Sequence, residues 1–366
     1  MKFIDLQDVE YIALGAALLG TGGGGDPHLG KLMAIQAIKQ NGPVQLIDPD
    51  EVPDDASIVP TAMMGAPTVL IEKLANGEEI LRAFNGIKKY AGKDIYATLP
   101  IEAGGVNSMI PISVAARTGI PLLDCDGMGR AFPELQMTSF HLWDVSATPM
   151  IIADEKGNTV IMESINNFWT ETLARNICVT MGGSVMLSIY QMPGKVLKEA
   201  CIRNTLSLSA KIGESILTAR KKGKNPIKNL LEVTGGFELF KGKVIDVLRR
   251  TEGGFVRGEA QIEGIEDYRG KNLKVQFQNE NLIAIRDEKI IASVPDLICI
   301  VNLDSAIPVT TEAIRYGHRV LVLSIPCDPK WRTPKGIETV GPRYFGYDVD
   351  YIPVEKLINE EGGNHQ

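Results

Sequence analysis

A run of four consecutive glycines within GTGGGGDP, at residues 20–27, constrains the fold of this chain more than any other feature. Glycine loses more conformational freedom on folding than any other residue, so such a run is favoured where φ is positive or where a ligand touches the backbone. Glycine is frequent overall, with 37 in 366 residues, roughly a tenth of the chain against an average of about 7%. We interpret the run as a binding loop, because a tight interhelical turn, the alternative, needs one or two glycines.

The glycine loop lies between two predicted helices. Apolar residues at helical spacing predict a helix over residues 8–19, with Gly20 at its C-cap. On the far side, we expect Asp26 to act as the N-cap and Pro27 to occupy the first helical position. A dinucleotide site or a P-loop needs a strand before its glycines, and none precedes these. The loop amides, which end at a helix N-terminus, are therefore expected to form an anion-binding nest.

Short β-branched or apolar runs alternate with helical stretches in the first part of the chain. Strands are predicted at residues 44–47, 57–61, 94–98 and 121–124, with helices such as 72–90 and 108–118. This order is typical of an α/β fold with a parallel or mixed sheet and flanking helices, in which ligands bind beyond the carboxyl ends of the strands. A hairpin is predicted at residues 150–162, and we expect the first domain to close near it.

The part of the chain after this hairpin is predicted to form a second domain, because the chain is longer than one hydrophobic core usually supports. Its helices are predicted at residues 166–180, 195–221 and 227–233. Closely spaced short strands at residues 242–293 predict a small antiparallel sheet or barrel. The last third is expected to return to α/β character, with strands at residues 296–302 and 319–325 and a short helix at 310–316.

The net charge of −7 and the pI near 5.3 disfavour a nucleic-acid partner, because phosphate neutralisation needs clustered lysine and arginine. The sequence has no run of eighteen apolar residues and no signal-peptide core, so we expect a cytoplasmic protein without a membrane partner. The five cysteines are scattered and never in C-x-x-C spacing, which favours buried free thiols. A small-molecule substrate is the partner that these properties favour.

The segment LLDCDGMGRAFPE supplies the second candidate element, a predicted strand that delivers Asp124 and Asp126 with Arg130 and Glu134 close behind. Side chains two apart on a strand face the same way, so both aspartates are expected to point into one cleft. Their proximity would raise one pKa and leave the other carboxyl ionised, as a general acid or base requires. The alternative is an acidic turn in which Arg130 pairs with Asp126 and Glu134.

A divalent metal is the one cofactor that the residues suggest. The candidate ligands are Asp124, Asp126, His28 and His141. Cys125, between the aspartates, is interpreted as buried filler and not as a nucleophile, because adjacent carboxylates raise a thiol pKa.

Two further segments carry candidate site residues. Glu102 opens EAGGVNS, in which Asn107 and Ser108 are either substrate contacts or helix N-caps. Near the C-terminus a proline-rich stretch lacks periodicity, as is typical of ordered segments that cover a cleft or simply shield the protein from solvent. The candidate substrate contacts there are Asp328, Trp331 and Arg332.

Five separated motifs occur in the order found in a known family. They are GTGGGGDP, MGAPTV from Met64, EAGGVNS from Glu102, DCDGMGRAFPELQM from Asp124, and CDPKWRTPKG with VGPRYFGYDVDYIPVE near the end. Together they resemble the S-methyl thiohydantoin desulfurase family, which is associated with hydantoinase and oxoprolinase genes. The resemblance spans nearly the whole chain and implies an N-terminal α/β domain at residues 1–167 and a C-terminal α+β domain at residues 168–366. It also implies a hydrolase acting on a hydantoin-like or thiohydantoin-like ring. Cys125 stands where the family usually carries a small residue.

The resemblance thus implies water attack at a ring carbon, breaking a C–N or C–S bond of a cyclic amide or thioimidate. Asp124 or Asp126, directly or through a bound metal, would activate the water, and Glu102 and Arg130 would orient the ring. Substrate contacts are predicted from Thr21, Gly22, Gly23, Gly24, Gly25, Asp26, Asn107, Ser108, Arg130, Glu134 and Arg332. The alternative is a non-catalytic partner subunit or small-carboxylate-binding protein of a hydantoinase or oxoprolinase system. We also expect that the chain can form a homo-oligomer.

Overall fold

Two β-sheets organise the chain in the computed structural model, which describes residues 2–65, 69 and 77–362. The strands are β1 (Phe3–Ile4), β2 (Val44–Ile47), β3 (Ser57–Gly65), β4 (Ile95–Pro100), β5 (Leu122–Leu123), β6 (Cys125–Asp126), β7 (Met150–Ala153), β8 (Thr159–Met162), β9 (Ser184–Ser188), β10 (Met192–Pro193), β11 (Ile202–Arg203), β12 (Phe237–Glu252), β13 (Phe255–Gly264), β14 (Asn272–Gln278), β15 (Glu280–Arg286), β16 (Lys289–Ser293), β17 (Leu297–Asn302) and β18 (Arg319–Ile325).

Helices flank the first sheet on both faces and cover part of the second. They are α1 (Leu6–Leu19), α2 (Pro27–Asn41), α3 (Glu78–Ala91), α4 (Ile110–Thr118), α5 (Ser139–Leu142), α6 (Asn167–Thr180), α7 (Gly194–Ala200), α8 (Thr205–Lys221), α9 (Pro226–Thr234), α10 (Pro334–Val340) and α11 (Val354–Gly362). The predicted helix at residues 72–90 corresponds to α3, and residues 70–76 lie outside the described part of the chain. Among the described helices, none has the length and apolar character needed to cross a membrane.

The first sheet is mixed, as the alternation of elements predicts. Its order is β1-β2-β5-β4-β3-β9-β7-β8, with β10 paired to β3. The central four strands, β2, β5, β4 and β3, run parallel, so their carboxyl ends meet at one edge. The predicted hairpin is β7 and β8. Strand β9, which follows residue 167, pairs with β3 and β7, so this sheet draws on residues from both sides of that position.

The second sheet is wholly antiparallel and confirms the predicted β-rich module. Its order is β16-β15-β14-β13-β12-β18-β17. The expected return to α/β character is wrong, because β17 and β18 pair with each other and β18 pairs with β12 in this same sheet. The helix predicted at residues 310–316 is also wrong. Those residues form turns, in which Thr311 donates its backbone N–H and its hydroxyl to the Gly22 carbonyl of the glycine loop.

The helix predicted over residues 195–221 is interrupted. It divides into α7 and α8 at residues 201–204, where β11 pairs with β6 and Asn204 adopts a φ of 62°. Helical periodicity reports a local pattern and cannot reveal a pairing with a strand about seventy-five residues earlier, which overrides helix propensity here.

Helices α1 and α8 pack unusually close together through reciprocal glycines. A methyl group on Gly15 would overlap the Ser209 carbonyl of α8, and one on Gly213 would overlap the Tyr11 carbonyl of α1. Since neither position has room for a Cβ, only glycine permits this backbone approach. The contact fixes α1, and with it the start of the glycine loop, against α8.

The guanidinium of Arg130 joins the two sheets. It is fully buried, and each of its five N–H groups donates to a protein oxygen. The acceptors are the Thr21 hydroxyl and the carbonyl groups of Ala131, Asn281, Pro295 and Asp296, at 2.8–3.3 Å. Burial lowers the pKa of Arg130 to about 10, so the side chain keeps its charge at neutral pH.

We expect Arg130→Met to lower the free energy of unfolding by about 3–5 kcal/mol, the usual cost of breaking a buried charged network. The measurement is equilibrium unfolding in urea. Arg343→Met is the matched control, because Arg343 is exposed and pairs only with Asp348 and Asp350 at the surface; it should change stability little. Equal effects of the two substitutions would contradict the structural role given to Arg130.

Candidate functional site

A cleft opens where the carboxyl ends of β3 and β4 meet the glycine loop. Its walls are formed by Gly23–25 of the loop, by residues 62–65 at the end of β3, by residues 101–102 after β4, by residues 132–135, and by Asn279 and Glu280 where β14 turns into β15. The cleft encloses about 80 Å³. Of the candidate segment from Asp124 to Glu134, the later residues line this cleft beside the glycine loop, and the two aspartates do not.

The glycine loop has the backbone geometry that its sequence predicts. Gly22, Gly24 and Gly25 have positive φ angles of 96°, 74° and 80°. A Cβ on Gly24 would lie 2.6 Å from the Cα of Gly104, so the two glycine-rich loops touch backbone to backbone. Within the part of the chain that the structure describes, the amide N–H groups of Gly24 and Gly25 have no acceptor. These donors can serve a ligand in the cleft.

The ends of the loop match the predicted helix caps. Asp26 is the N-cap of α2, with Pro27 as its first residue, and the Asp26 carboxylate accepts from the His28 amide at 2.7 Å. At the other end, Thr21 and Gly22 are bound to the second sheet, because the Thr21 carbonyl accepts from the Asn281 amide at 2.8 Å. Thr21, Gly22 and Asp26 therefore shape the loop, and Gly23 to Gly25 reach the cleft.

Two buried carboxyl groups, Glu102 and Glu280, line the cleft beside the glycine loop. Burial raises the pKa of Glu102 to about 7, and it raises the pKa of Glu280 well above the ordinary value, with the Glu102 charge adding to that shift. Glu280 lies directly against Gly23, since a Cβ there would overlap its carboxylate. Its Oε2 has no partner among the described residues. Glu280 was not predicted from the sequence, and no local pattern marks it.

Asn107 fixes the position of Glu102. Its Nδ2 donates to Glu102 Oε1 at 2.7 Å and to the Met63 carbonyl at 3.2 Å, while its Oδ1 accepts from the Met63 amide at 2.8 Å. Ser108 lies behind this contact, where its hydroxyl accepts from the Gly104 amide at 3.2 Å. The N-cap of α4 is Met109, without a side-chain cap, so the capping role considered for Asn107 and Ser108 is not what the structure shows.

Glu134 and Arg175 face the mouth of the cleft. Glu134 accepts a hydrogen bond of 2.7 Å from the Tyr344 hydroxyl. Arg175, on α6, pairs with Glu171 through Nε and donates through Nη2 to the Pro133 carbonyl at 3.1 Å. Its Nη1 has no acceptor among the described residues and is available to a ligand. Arg175 was absent from the sequence-based candidates, because nothing in helical periodicity distinguishes it from a solvent-facing arginine.

The two aspartates do not lie in the cleft, which corrects the expectation that both point into it. Asp124 lies between β5 and β6 and binds the first turn of α8, accepting from the Ser207 amide at 3.0 Å and from the Ser207 hydroxyl. Asp126 is fully buried and accepts from the amides of Met128 and Gly129 at 2.8 and 2.6 Å. Burial raises its pKa to about 7. The chain bends between the two short strands, so side-chain alternation does not apply.

The predicted metal ligands are spread through the molecule. His28 is exposed on α2, and His141 is half-buried, with its Nδ1 3.1 Å from the Asn167 amide. Neither contacts Asp124 or Asp126, and the described residues contain no group of three His, Cys, Asp or Glu side chains placed to hold a metal ion. Cys125 is buried, and burial raises its thiol pKa, which agrees with its interpretation as filler.

Three further predicted contacts, Arg130, Arg332 and Trp331, have partners within the protein. Arg130 has no free N–H for a ligand, so its role is the joint described above and not the orientation of a substrate ring. Arg332 pairs with Glu355 and, at 3.2 Å, with Asp296, away from the cleft. Trp331 is buried and donates to the Met128 carbonyl at 2.8 Å. The C-terminal segment therefore supports the wall of the cleft from behind.

Comparison with known proteins finds matches that cover almost the full length of this chain. A solved crystal structure of a protein from Chromobacterium violaceum has a TM-score of 0.79 with this chain and 22% sequence identity, covering 97% of this chain and 100% of the other. At that identity the similarity establishes a shared fold. No curated protein matches the sequence.

The family comparison is more specific. Residues 7–164 match the N-terminal domain of the S-Me-THD-like family, and residues 165–354 match its C-terminal domain. Since the two matches together cover nearly the whole chain, the protein belongs to the S-Me-THD-like family, which confirms the resemblance to S-methyl thiohydantoin desulfurases drawn from its five motifs.

Proposed function

We propose that the cleft hydrolyses the S-methyl thioimidate of a thiohydantoin-type ring. Water attacks the ring carbon that carries sulfur, a C–O bond forms, the C–S bond breaks, and methanethiol leaves behind a hydantoin carbonyl. One water proton ends on the ring nitrogen and the other on the departing sulfur. The observation that carries the proposal is the pair of buried carboxyl groups, Glu102 and Glu280, placed beside the glycine loop in one cleft.

The two carboxyl groups suit different tasks. With a pKa of about 7, Glu102 is ionised in a large fraction of molecules near neutral pH and is the general base that accepts a proton from water. Burial and the charge of Glu102 raise the pKa of Glu280 well above its ordinary value, so we assign Glu280 the role of the acid that donates to the ring nitrogen. Two carboxyl groups whose environments separate their pKa values form an acid–base pair.

The rest of the cleft fits the remaining parts of such a ring. The amides of Gly24 and Gly25 are placed to stabilise negative charge on a ring oxygen. An apolar wall that includes Met63, Met64 and Phe132 suits the S-methyl group, because thioether and aromatic side chains pack well against sulfur. A substituent on the ring would extend towards the mouth of the cleft and Arg175.

Purified protein is expected to release methanethiol from S-methyl thiohydantoins, measured with a colorimetric thiol reagent. Glu102→Gln should lower the rate by about 10²–10⁴-fold, the usual contribution of a general base. Asp124→Asn is the comparison variant, since Asp124 binds α8 outside the cleft. If Asp124→Asn abolishes turnover and Glu102→Gln does not, the catalytic assignment is overturned. No turnover across a panel of substituted rings would remove the hydrolase proposal and favour a non-catalytic partner of a hydantoinase or oxoprolinase.

The rate should depend on pH in a defined direction. Because the base must be ionised, we expect kcat/KM to rise about tenfold per pH unit below about 7 and then to level off. Glu102→Asp, which keeps a carboxylate on a shorter side chain, should move this midpoint while retaining a rise. A flat profile between about pH 5 and about pH 8 would exclude Glu102 as the base.

The raised pKa of Glu102 also predicts how stability changes with pH, independently of turnover. The folded protein holds this proton more tightly than the unfolded chain does. The resulting stabilisation is fully present below about 4.5 and is lost as the pH rises to about 7 and above. We expect the free energy of unfolding to fall more steeply over this window in the wild type than in Glu102→Gln, whose amide does not titrate. Parallel curves in urea unfolding would show that the shift is absent.

A further inference from the structure

One face of α6 is exposed to solvent and carries no charge. Every exposed residue of this helix is apolar or neutral: Phe168, Trp169, Thr172, Leu173, Asn176, Val179 and Thr180. Ile165, just before the helix, extends the same stripe and is 84% exposed, and Trp169 is 50% exposed. The spacing of these positions by three and four residues places them on one side of the helix. We call this stripe the α6 face.

An exposed helical face normally carries charged side chains, because those are the residues that water solvates best. The opposite side of α6 is already packed, with Ala174 and Cys178 buried in the core and Glu171 buried behind the cleft. The uncharged side is therefore an additional apolar surface, beyond the one that the fold itself requires. Contiguous apolar patches of this kind mark interaction sites in soluble proteins.

The polar side chains of the α6 face donate hydrogen bonds to backbone carbonyl groups of the same helix. The hydroxyl of Thr172 donates to the Phe168 carbonyl at 3.1 Å, and Asn176 Nδ2 donates to the Thr172 carbonyl at 2.8 Å. The Thr180 hydroxyl donates to the Asn176 carbonyl at 3.0 Å. Since these donors are bonded to backbone oxygens, covering the face costs less desolvation than free hydroxyl and amide groups would.

We propose that the α6 face packs against the same face of a second copy of this chain, as a two-fold helix pair. The chain has a net charge of −7, so two copies repel each other except where a surface is uncharged, as this one is. The exposed apolar area of the face is on the order of 500 Å². A standard interface buries roughly 800 Å² per partner, so this face would form the apolar centre and neighbouring residues the rim. The face is uncharged and its polar side chains donate to the backbone of their own helix. It can therefore pack against a copy of itself, as a two-fold interface requires.

The pairing would act on the cleft through the other side of the same helix. Arg175 and Glu171 project from α6 towards the cleft wall, where Glu171 accepts from the Leu135 amide at 2.9 Å and Arg175 donates to the Pro133 carbonyl. A partner copy on the outer face would hold α6 against these contacts. The dimer thus braces one wall of the cleft without contributing a residue to it.

The oligomeric state tests the proposal. In sedimentation equilibrium and light scattering, the wild type should have twice the mass of the 39.8 kDa chain. Trp169→Glu should raise the dimer dissociation constant at least about tenfold, as expected for a central aromatic residue of an interface. Leu248→Glu is the matched control, because Leu248 is an apolar side chain that is 61% exposed on the second sheet; it should leave the dimer intact.

A second measurement locates the interface. Thr172→Cys and Asn176→Cys place a thiol on an exposed position of the α6 face, whereas the five native cysteines are buried. A short thiol-reactive crosslinker should join two chains through at least one of these variants and should not join wild-type chains. A monomeric wild type at the highest soluble concentration, or a dimer that survives Trp169→Glu and forms no crosslink, would overturn the proposal. Circular dichroism checks that each variant remains folded.

Discussion

The buried cation of Arg130 is the interaction on which the arrangement of the cleft depends. A guanidinium in the interior is tolerated because all five of its donors find oxygen acceptors, and those acceptors come from three distant parts of the chain. It fixes Thr21, where the glycine loop begins, relative to Asn281, next to Glu280. Its charge also lowers the pKa of Glu280, opposing the effect of burial. The same side chain stacks on Phe132, 4.4 Å from the ring centre, which continues the network into the cleft wall.

Burying two carboxyl groups in the cleft lowers the stability of the folded protein, and hydrogen bonds to Glu102 offset part of this cost. Glu102 is bonded to Asn107, which is in turn bonded to the backbone of β3, so one carboxyl is held in a single orientation. Glu280 retains an oxygen without a partner among the described residues. Groups that are desolvated and incompletely satisfied are frequent in active sites, because their pKa values are then tunable around neutrality.

Local signals in the sequence predicted much of this molecule. Asp26 and Pro27 begin α2 where cap preferences place them, and the alternating runs gave the parallel centre of the first sheet. Features that depend on distant pairing were missed. The break between α7 and α8 arises from β11 pairing with β6, and Asp124 turns towards α8 for the same reason. Glu280 and Arg175 line the cleft because the second sheet and α6 pack over the glycine loop. These contacts join segments that are far apart in the chain, so the sequence around either residue does not predict its place in the cleft.

The glycine contact between α1 and α8 can form only late during synthesis of the chain. Gly15 and Gly213 meet residues nearly two hundred positions away, so this contact is absent until α8 has left the ribosome. Before then, Val9 and Ile12 can pack against earlier members of their core cluster, such as Ala34, Ile38 and Val44. The face of α1 that carries Gly15 stays uncovered on the nascent chain until the second half of the protein is made.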